Sequence, residues 1–285
     1  SNEVIDWFTG VTGSTTSSAP SGTNFGTYSA WAEARNTITG CKSASRTLVT
    51  VNITKRNATW TTNANTKTYG EIDPIPLTSG SGNFLLSDNV TASYSRVSGE
   101  TVVNGSYAIS ATLNAAPSVL NNYNIINEGA SFNILKRAIT ITADSKSKIY
   151  GDTDPELTAQ ASNLVSGDVA TGALSRAAGE DVGSYSISKS SYTYGSNYDE
   201  SFVGANLVIG QRAITITADA KSKTYGDADP ELTAQASYVV SGDVASGTLS
   251  RAAGEDVGSY SISKSSYTYG SNYDESFVGA NLVIG

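Results

Sequence analysis

The chain has 285 residues, no histidine, no methionine, a single cysteine and a formal net charge of −8. Without histidine it cannot form a Ser-His-Asp or Cys-His nucleophile or a His-ligated zinc site, and one cysteine excludes an internal disulfide or a thiolate zinc site. The acidic balance argues against nucleic acid and anionic membranes as partners, and no run reaches the ~18 apolar residues that a membrane-spanning helix needs.

Residues 1–53 differ in composition and pattern from the rest of the chain. Strand-like segments run through Ile5-Asp6-Trp7-Phe8, Tyr28–Asn36 and Ser45–Val51, and Thr39-Gly40-Cys41 lies before the last of them. These segments resemble an immunoglobulin-like module found in giant proteins exported by the type 9 secretion system, including SprB-type gliding adhesins. We therefore predict a partial immunoglobulin-like module here.

The same resemblance implies specific roles for three residues of this module. Modules of this kind begin with two strands and a cysteine ahead of the Ile-Asp-Trp strand, so Cys41 is expected to pair with a cysteine outside this segment. Trp7 and Trp31 are expected to lie in the core of the module.

Residues 54–136 are predicted to be the first and most diverged of three repeats. Tyr69-Gly70 and Asp73-Pro74 recur 81 residues later as Tyr150-Gly151 and Asp154-Pro155. The dipeptide Asn104-Gly105 predicts a tight hairpin turn. The interval of 81 residues indicates a first copy with about six extra residues relative to the 75-residue spacing that follows.

Residues 137–211 and 212–285 are predicted to be the second and third repeats. Between 137–210 and 212–285 only seven of 74 positions differ. Each stretch carries five basic and nine acidic residues, so the whole net charge lies in these two copies. A spacing of 75 residues exceeds the 20–50 residues of solenoid repeats, so each copy is predicted to be a small domain with its own core.

Within each copy the pattern is that of strands and turns. Arg212–Ala218 alternates apolar and polar residues, and so do the segments that contain Ser259–Ser263, Ser266–Tyr269 and Ala280–Ile284. The segment 239–244 could hold a helical turn. About seven short strands per repeat predict an all-β tandem array of small antiparallel domains, either sandwiches or β-grasp-like sheets. Single-residue connections at Lys136 and Gln211 predict stiff joints and an elongated rod.

The block R-A-I-T-I-T-A-D-x-K-S-K-x-Y-G-D-x-D-P-E-L-T, with the later L-S-R-A-A-G-E-D-V-G-S-Y, resembles the MBG (YGX-type) repeats of bacterial surface adhesins. The resemblance implies a non-enzymatic stalk segment of a large adhesin on the outer surface of a bacterium, which serves attachment or gliding. It further implies that surface or glycan ligands bind elsewhere in the parent protein, and it leaves lateral bundling of rods open. A multivalent carbohydrate-binding array is the alternative.

Candidate sites are few. Carboxylates of the Asp-x-Asp-Pro-Glu segments either bind calcium or cap turns through backbone N–H groups, and the proline favours capping. These carboxylates are Asp152, Asp154, Glu156, Asp227, Asp229 and Glu231. Glu255-Asp256 and Asp274-Glu275 either complete such a site or are solvated. Alternating tyrosines either stack sugars or, as is more usual, pack in the core; they are Tyr192, Tyr194, Tyr198, Tyr267, Tyr269 and Tyr273. No catalytic residue and no resident cofactor is predicted.

Overall fold

A computed structural model describes residues 2–103 and 105–285. Its internal contacts divide the chain into two units, residues 1–136 and residues 137–285. Among the described residues no helix is long and apolar enough to cross a membrane. The predicted turn at Asn104-Gly105 falls partly outside the described residues.

The first unit begins with a three-stranded antiparallel sheet in the order β1-β2-β3. Its strands are β1 Glu3–Phe8, β2 Gly26–Asn36 and β3 Thr47–Ile53. Phe8 and Ala30 are its buried apolar residues, and the Arg46 guanidinium carbon lies 3.3 Å from the centre of the Phe8 ring. Trp7 and Trp31 are only half-buried, contrary to the prediction that they form the core, because the described strands of this module make a single sheet that covers neither indole fully.

The rest of the first unit is a domain of two sheets, ordered β6-β4-β9 and β5-β10-β8-β7. It also has a 3-10 turn at Leu86–Asp88 and one helical turn, α1, at Pro117–Leu120. Its strands are β4 Arg56–Thr62, β5 Asn65–Thr68, β6 Gly80–Gly82, β7 Thr91–Arg96, β8 Tyr107–Asn114, β9 Tyr123–Glu128 and β10 Ala130–Leu135. Ile109, Phe132 and Ile134 form a buried cluster within it.

The second unit contains two copies of the same two-sheet domain. The first copy has β11 Arg137–Ala143, β12 Lys146–Ile149, β13 Ala159–Ala161, β14 Ser175–Arg176, β15 Gly183–Ser188, β16 Tyr198–Val203 and β17 Ala205–Gly210. The second has β18 Arg212–Ala218, β19 Lys221–Lys223, β20 Ala234–Ala236, β21 Ser250–Arg251, β22 Gly258–Ser263, β23 Tyr273–Val278 and β24 Ala280–Ile284. Seven strands per copy, all within the described residues 137–285, match the sequence prediction.

Each copy is a sandwich of a three-stranded and a four-stranded sheet, ordered β20-β18-β23 and β19-β24-β22-β21 in the last one. The alternating residues of β18 put Ile214, Ile216 and Ala218 inside, at 3%, 0% and 5% exposure. Ala218 packs with Leu249 and Ile262 between the two sheets. This arrangement confirms the all-β tandem array and selects the sandwich of the two predicted topologies.

The sheets are mixed: the predicted antiparallel pairing holds for three strand pairs of the last repeat, and two further pairs are parallel. β18 pairs with β23 in parallel, and β19 pairs with β24 in parallel. Alternation predicts which side chains face the core but carries no information on the direction of the neighbouring strand. The chain passes from one sheet to the other at Gly279, where an added Cβ would lie 2.9 Å from the Ile262 carbonyl oxygen.

The predicted strand at Ser266–Tyr269 is reduced to a single bridge between Ser246 and Thr268. The N–H of Tyr269 donates to a carboxylate oxygen of Glu275 at 2.5 Å rather than to a neighbouring strand. The segment 239–244 forms one turn, in which the Asp243 N–H donates to the Val240 carbonyl at 3.1 Å.

Candidate functional site: the joint between tandem repeats

A cluster of four charged side chains occurs in every repeat, and we call it the charge clamp. In the middle repeat it consists of Lys148, Asp154, Arg176 and Glu180. Arg176 holds the Asp154 carboxylate with two N–H groups, at 2.6 and 3.2 Å, and the Lys148 ammonium lies 2.7 Å from the same carboxylate. The Lys148 side chain is only 4% exposed, so its charge is compensated by these partners rather than by water.

The other two repeats carry the same clamp on equivalent residues. These are Lys67, Asp73, Arg96 and Glu100 in the first repeat, and Lys223, Asp229, Arg251 and Glu255 in the third. The clamp ties the Asp-Pro turn and the Gly-Glu segment to two strands of the four-stranded sheet. It therefore fixes loops that the sheet hydrogen bonds do not reach.

The clamp makes each repeat sensitive to acid. Bonds from Arg176, then from Lys148, lower the pKa of the Asp154 carboxyl from 3.8 to about 2, and Asp73 and Asp229 are lowered to about 2 in the same way. A carboxyl with a lowered pKa stabilises the fold above its unfolded pKa, and this contribution is lost as pH falls through the folded pKa. We expect the urea midpoint to be steady from pH 7 to about 5 and to fall between about pH 4 and 2.

The double variant Asp154→Asn with Asp229→Asn provides the matched control for this titration. It should start with a lower urea midpoint at pH 7 and lose less between pH 4 and 2 than the parent chain. A parent midpoint that stays constant down to pH 2 would show that the clamps do not stabilise the fold.

The charge clamp also positions the turn that meets the next repeat. Besides its two carboxylate partners, Lys148 Nζ donates to the main-chain oxygen of Asp152 at 3.1 Å. This fixes the turn Tyr150-Gly151-Asp152 at the end of the middle repeat. Glu180 of the clamp directly precedes Asp181 and Val182, a second segment that meets the next repeat.

These five residues, Tyr150, Gly151, Asp152, Asp181 and Val182, form what we call the trailing face of the middle repeat. The facing residues of the third repeat are Arg212, Val240, Asp243 and Asn272, which we call its leading face. Arg212 Nε donates to the Tyr150 carbonyl oxygen at 2.7 Å, and the Arg212 guanidinium forms an ion pair with Asp152. The joint is thus formed by specific bonds between side chains and turns.

Two tyrosines of different repeats share one carboxylate at this joint. The Tyr150 hydroxyl donates to Asp243 at 3.0 Å, and the Tyr273 hydroxyl donates to the same oxygen. The two rings meet edge to face with centroids 5.4 Å apart. The Asp243 carboxylate raises the pKa of Tyr150, and burial with the same carboxylate raises that of Tyr273 to about 12, so both stay protonated donors at neutral pH.

The glycine of the Tyr-Gly-Asp turn is needed for close approach of the next repeat. Gly151 has φ +80, and an added Cβ would lie 2.3 Å from a Val240 methyl group. The equivalent Gly226 of the third repeat has φ +87 and open space around the same position. The contact with Val240 therefore restricts Gly151 beyond what its backbone conformation requires.

An asparagine amide completes the joint, and an equivalent asparagine makes the same pair of bonds in the first unit. Asn272 Oδ1 accepts the Val182 N–H at 2.9 Å, and its Nδ2 donates to the Asp181 carboxylate at 2.8 Å. In the first unit, the equivalent Asn122 accepts the N–H of Phe25 at 2.7 Å and donates to the Asn24 side-chain oxygen at 3.0 Å. The leading face thus recognises a dipeptide of Asp or Asn followed by an apolar residue.

The structure does not bring the predicted calcium ligands together. Asp154 and Asp229 bind Arg and Lys, Asp152 binds Arg212, and Asp227 is exposed. Glu156 and Glu231 are exposed as well. Among the described residues no group of three or more acidic or cysteine side chains is placed to hold a metal ion. The favoured capping of turns by Asp154 and Asp229 is replaced by the charge clamp.

In each acidic pair one carboxylate has an ion-pair partner and the other is exposed. Glu255 belongs to a clamp, and Asp256 is exposed. Glu275 has a side chain only 6% exposed, accepts the Tyr269 N–H at 2.5 Å and the Thr268 hydroxyl at 2.9 Å, and pairs with Lys264. It anchors a loop, a role that the sequence did not reveal.

The alternating tyrosines pack in the core, which is the more usual of the two interpretations given above. Tyr267, Tyr269 and Tyr273 surround Ile214 and Ile216. Successive rings meet edge to face at 6.2 and 5.8 Å, so the tyrosines pack against one another rather than form a flat strip. Tyr192, Tyr194 and Tyr198 repeat this arrangement.

Cys41 is exposed and has no disulfide partner among the described residues. Its pairing with a cysteine outside this segment stays a prediction.

Comparison with protein families identifies the repeated unit. The model of the MBG domain of the YGX type matches three times, over residues 58–133, 139–208 and 214–283. The chain belongs to this MBG family. No curated protein matches the chain significantly in a sequence search. Each MBG match lies within one two-sheet sandwich, and in the last two sandwiches the Tyr-Gly-Asp turn precedes the Asp-Pro turn that the clamp holds.

Proposed function

We propose that this tandem array of MBG domains is a non-enzymatic stalk segment of a large cell-surface adhesin, which projects a distal binding region. The observation that carries the proposal is the joint between the last two repeats. A single residue, Gln211, connects them, and its side-chain amide donates to the carbonyls of Ser271 and Tyr273 at 3.0 and 3.1 Å. A connection bound in this way restricts the orientation of one domain relative to the next, unlike a flexible Gly/Ser tether.

The strand arrangement also suits a segment under tension. The first strands of a repeat, β18 and β19, run parallel to its last strands, β23 and β24. Force applied at the two ends of such a domain pulls parallel neighbours past each other. The hydrogen bonds of the ladder are then loaded together rather than one after another, and the domain resists more force before it unfolds.

We further propose that this adhesin is exported by the type 9 secretion system and serves attachment or gliding motility on the outer surface of a bacterium. It is supported by the resemblance of residues 1–53 to modules of such proteins and by the low content of charged residues, 15%. On this proposal, surface or glycan ligands bind in other parts of the adhesin, and the described domains hold those parts at a distance from the cell.

Single-molecule stretching of the chain tests the proposal. We expect the two C-terminal repeats to unfold in separate events at similar force, each releasing roughly 25 nm, since 74 residues extend by ~3.3–3.6 Å each. A chain that extends without resisting force is not a stalk. Specific binding of this chain to a glycan array would instead support the alternative, a carbohydrate-binding array whose weak sites act together.

A further inference from the structure

The third repeat has the same trailing face as the middle repeat, but nothing in the described chain covers it. Its residues are Tyr225, Gly226, Asp227, Asp256 and Val257. Tyr225 is 63% exposed and Val257 is 69% exposed, whereas Val182 at the occupied joint is 36% exposed and Tyr150 is half-buried. Within residues 2–103 and 105–285, the carboxylates of Asp227 and Asp256 have no bonded partner.

This face is already held in the shape that the occupied one has. Lys223 Nζ donates to the main-chain oxygen of Asp227 at 3.1 Å, the same distance as from Lys148 to Asp152. The charge clamp of the third repeat holds Glu255, the residue before Asp256, as in the middle repeat. Docking would therefore require little ordering of loops, which keeps its entropic cost low.

We propose that the trailing face of the third repeat is a docking site for the leading face of another repeat of this kind, joined in tandem. The complementary groups are an arginine for Asp227 and the Tyr225 carbonyl, an aspartate for the Tyr225 hydroxyl, and an asparagine amide for Asp256-Val257. Arg212, Asp243 and Asn272 supply this set at the occupied joint.

The asparagine interaction shows why a repeat is the fitting partner. Asn122 and Asn272 bind two unrelated dipeptides, Asn24-Phe25 and Asp181-Val182, with the same pair of hydrogen bonds. Asp256-Val257 is a third dipeptide of this type, and it is identical to Asp181-Val182. The inference concerns recognition between repeats and does not depend on the proposed role in projection.

Hydrogen exchange of the Val257 amide tests the proposal. The complete chain is compared with the same chain extended after Gly285 by glutamine and a second copy of residues 212–285. The Val257 amide is expected to exchange at least about tenfold more slowly in the extended chain, as it becomes the donor to the new asparagine. The Val182 amide, already bonded to Asn272, serves as internal standard and should not change.

The control replaces the asparagine of the added copy that corresponds to Asn272 with alanine, which should return Val257 to its original exchange rate. A second extended chain, in which the added repeat is a copy of residues 137–210, provides the same test if the first added copy folds poorly. An added copy whose core amides are protected while Val257 exchanges unchanged would overturn the proposal. Failure of both copies to fold next to this face would also count against it, because both fold within the chain.

Discussion

Replacing Glu275 with alanine is expected to destabilise the third repeat by about 3 kcal/mol, because its buried carboxylate is the shared partner of a lysine, a main-chain N–H and a hydroxyl. Burial alone would raise the pKa of Glu275, but Lys264, the Tyr269 N–H and the Thr268 hydroxyl outweigh it and leave the pKa lowered. The alanine variant removes the acceptor of all three groups. Lys264 and the loop 264–270 then lose the partner that holds them against the sheet.

Native-state hydrogen exchange of the Ile214 and Ile216 amides measures this effect for the third repeat separately. A urea unfolding curve of the whole chain averages over three similar domains and would not report the third repeat separately. Glu275→Gln keeps an acceptor and should cost less than alanine, and Asp274→Ala, at an exposed neighbour, should cost less than ~0.5 kcal/mol. Equal effects of Glu275→Ala and Asp274→Ala would refute the anchoring role.

Alanine at Gly151 is expected to disrupt the joint, whereas alanine at Gly226 is not. Both glycines have positive φ, so both variants carry the backbone cost of about 1 kcal/mol. Only at Gly151 does the added methyl collide with Val240. Because the two turns have the same Tyr-Gly-Asp sequence, the difference between the variants isolates the contact between repeats.

The readout for the glycine pair is hydrogen exchange of the Val182 amide, which donates to Asn272 across the joint. In the Gly151→Ala variant it should exchange at least about tenfold faster, and in Gly226→Ala it should match the parent chain. If both variants accelerate Val182 equally, the effect comes from the turn itself and not from the packing of Val240.

The local features of the fold could be predicted from the sequence because they depend on near neighbours. Alternation in Arg212–Ala218 is enough to indicate a half-buried strand, and Tyr225-Gly226-Asp227 is enough to indicate a turn. The pairing direction of β18 could not be obtained in this way, since its parallel neighbour β23 lies more than 50 residues further along the chain.

The bonds that form the clamp and the joint could not be predicted, for the same reason. Asp154 meets Arg176 across 22 residues, and Asp181 meets Asn272 across 91. In the sequence, Asp154 looks like a turn cap and Asn272 like an ordinary loop residue. The available signal was that near-identical copies follow each other with a single connecting residue, which indicates that neighbouring domains lie in close contact.

The proposed stalk depends on a bonded joint that holds the last two repeats in a fixed orientation. Distances between spin labels on Ala173 of the middle repeat and on the equivalent Thr248 of the third, both exposed and both introduced as cysteines in a Cys41→Ser background, test it most directly. A rigid joint should give one narrow distance distribution, which broadens when Arg212 and Asn272 are both replaced with alanine. A broad distribution in the parent chain, unchanged by these replacements, would contradict a rigid joint.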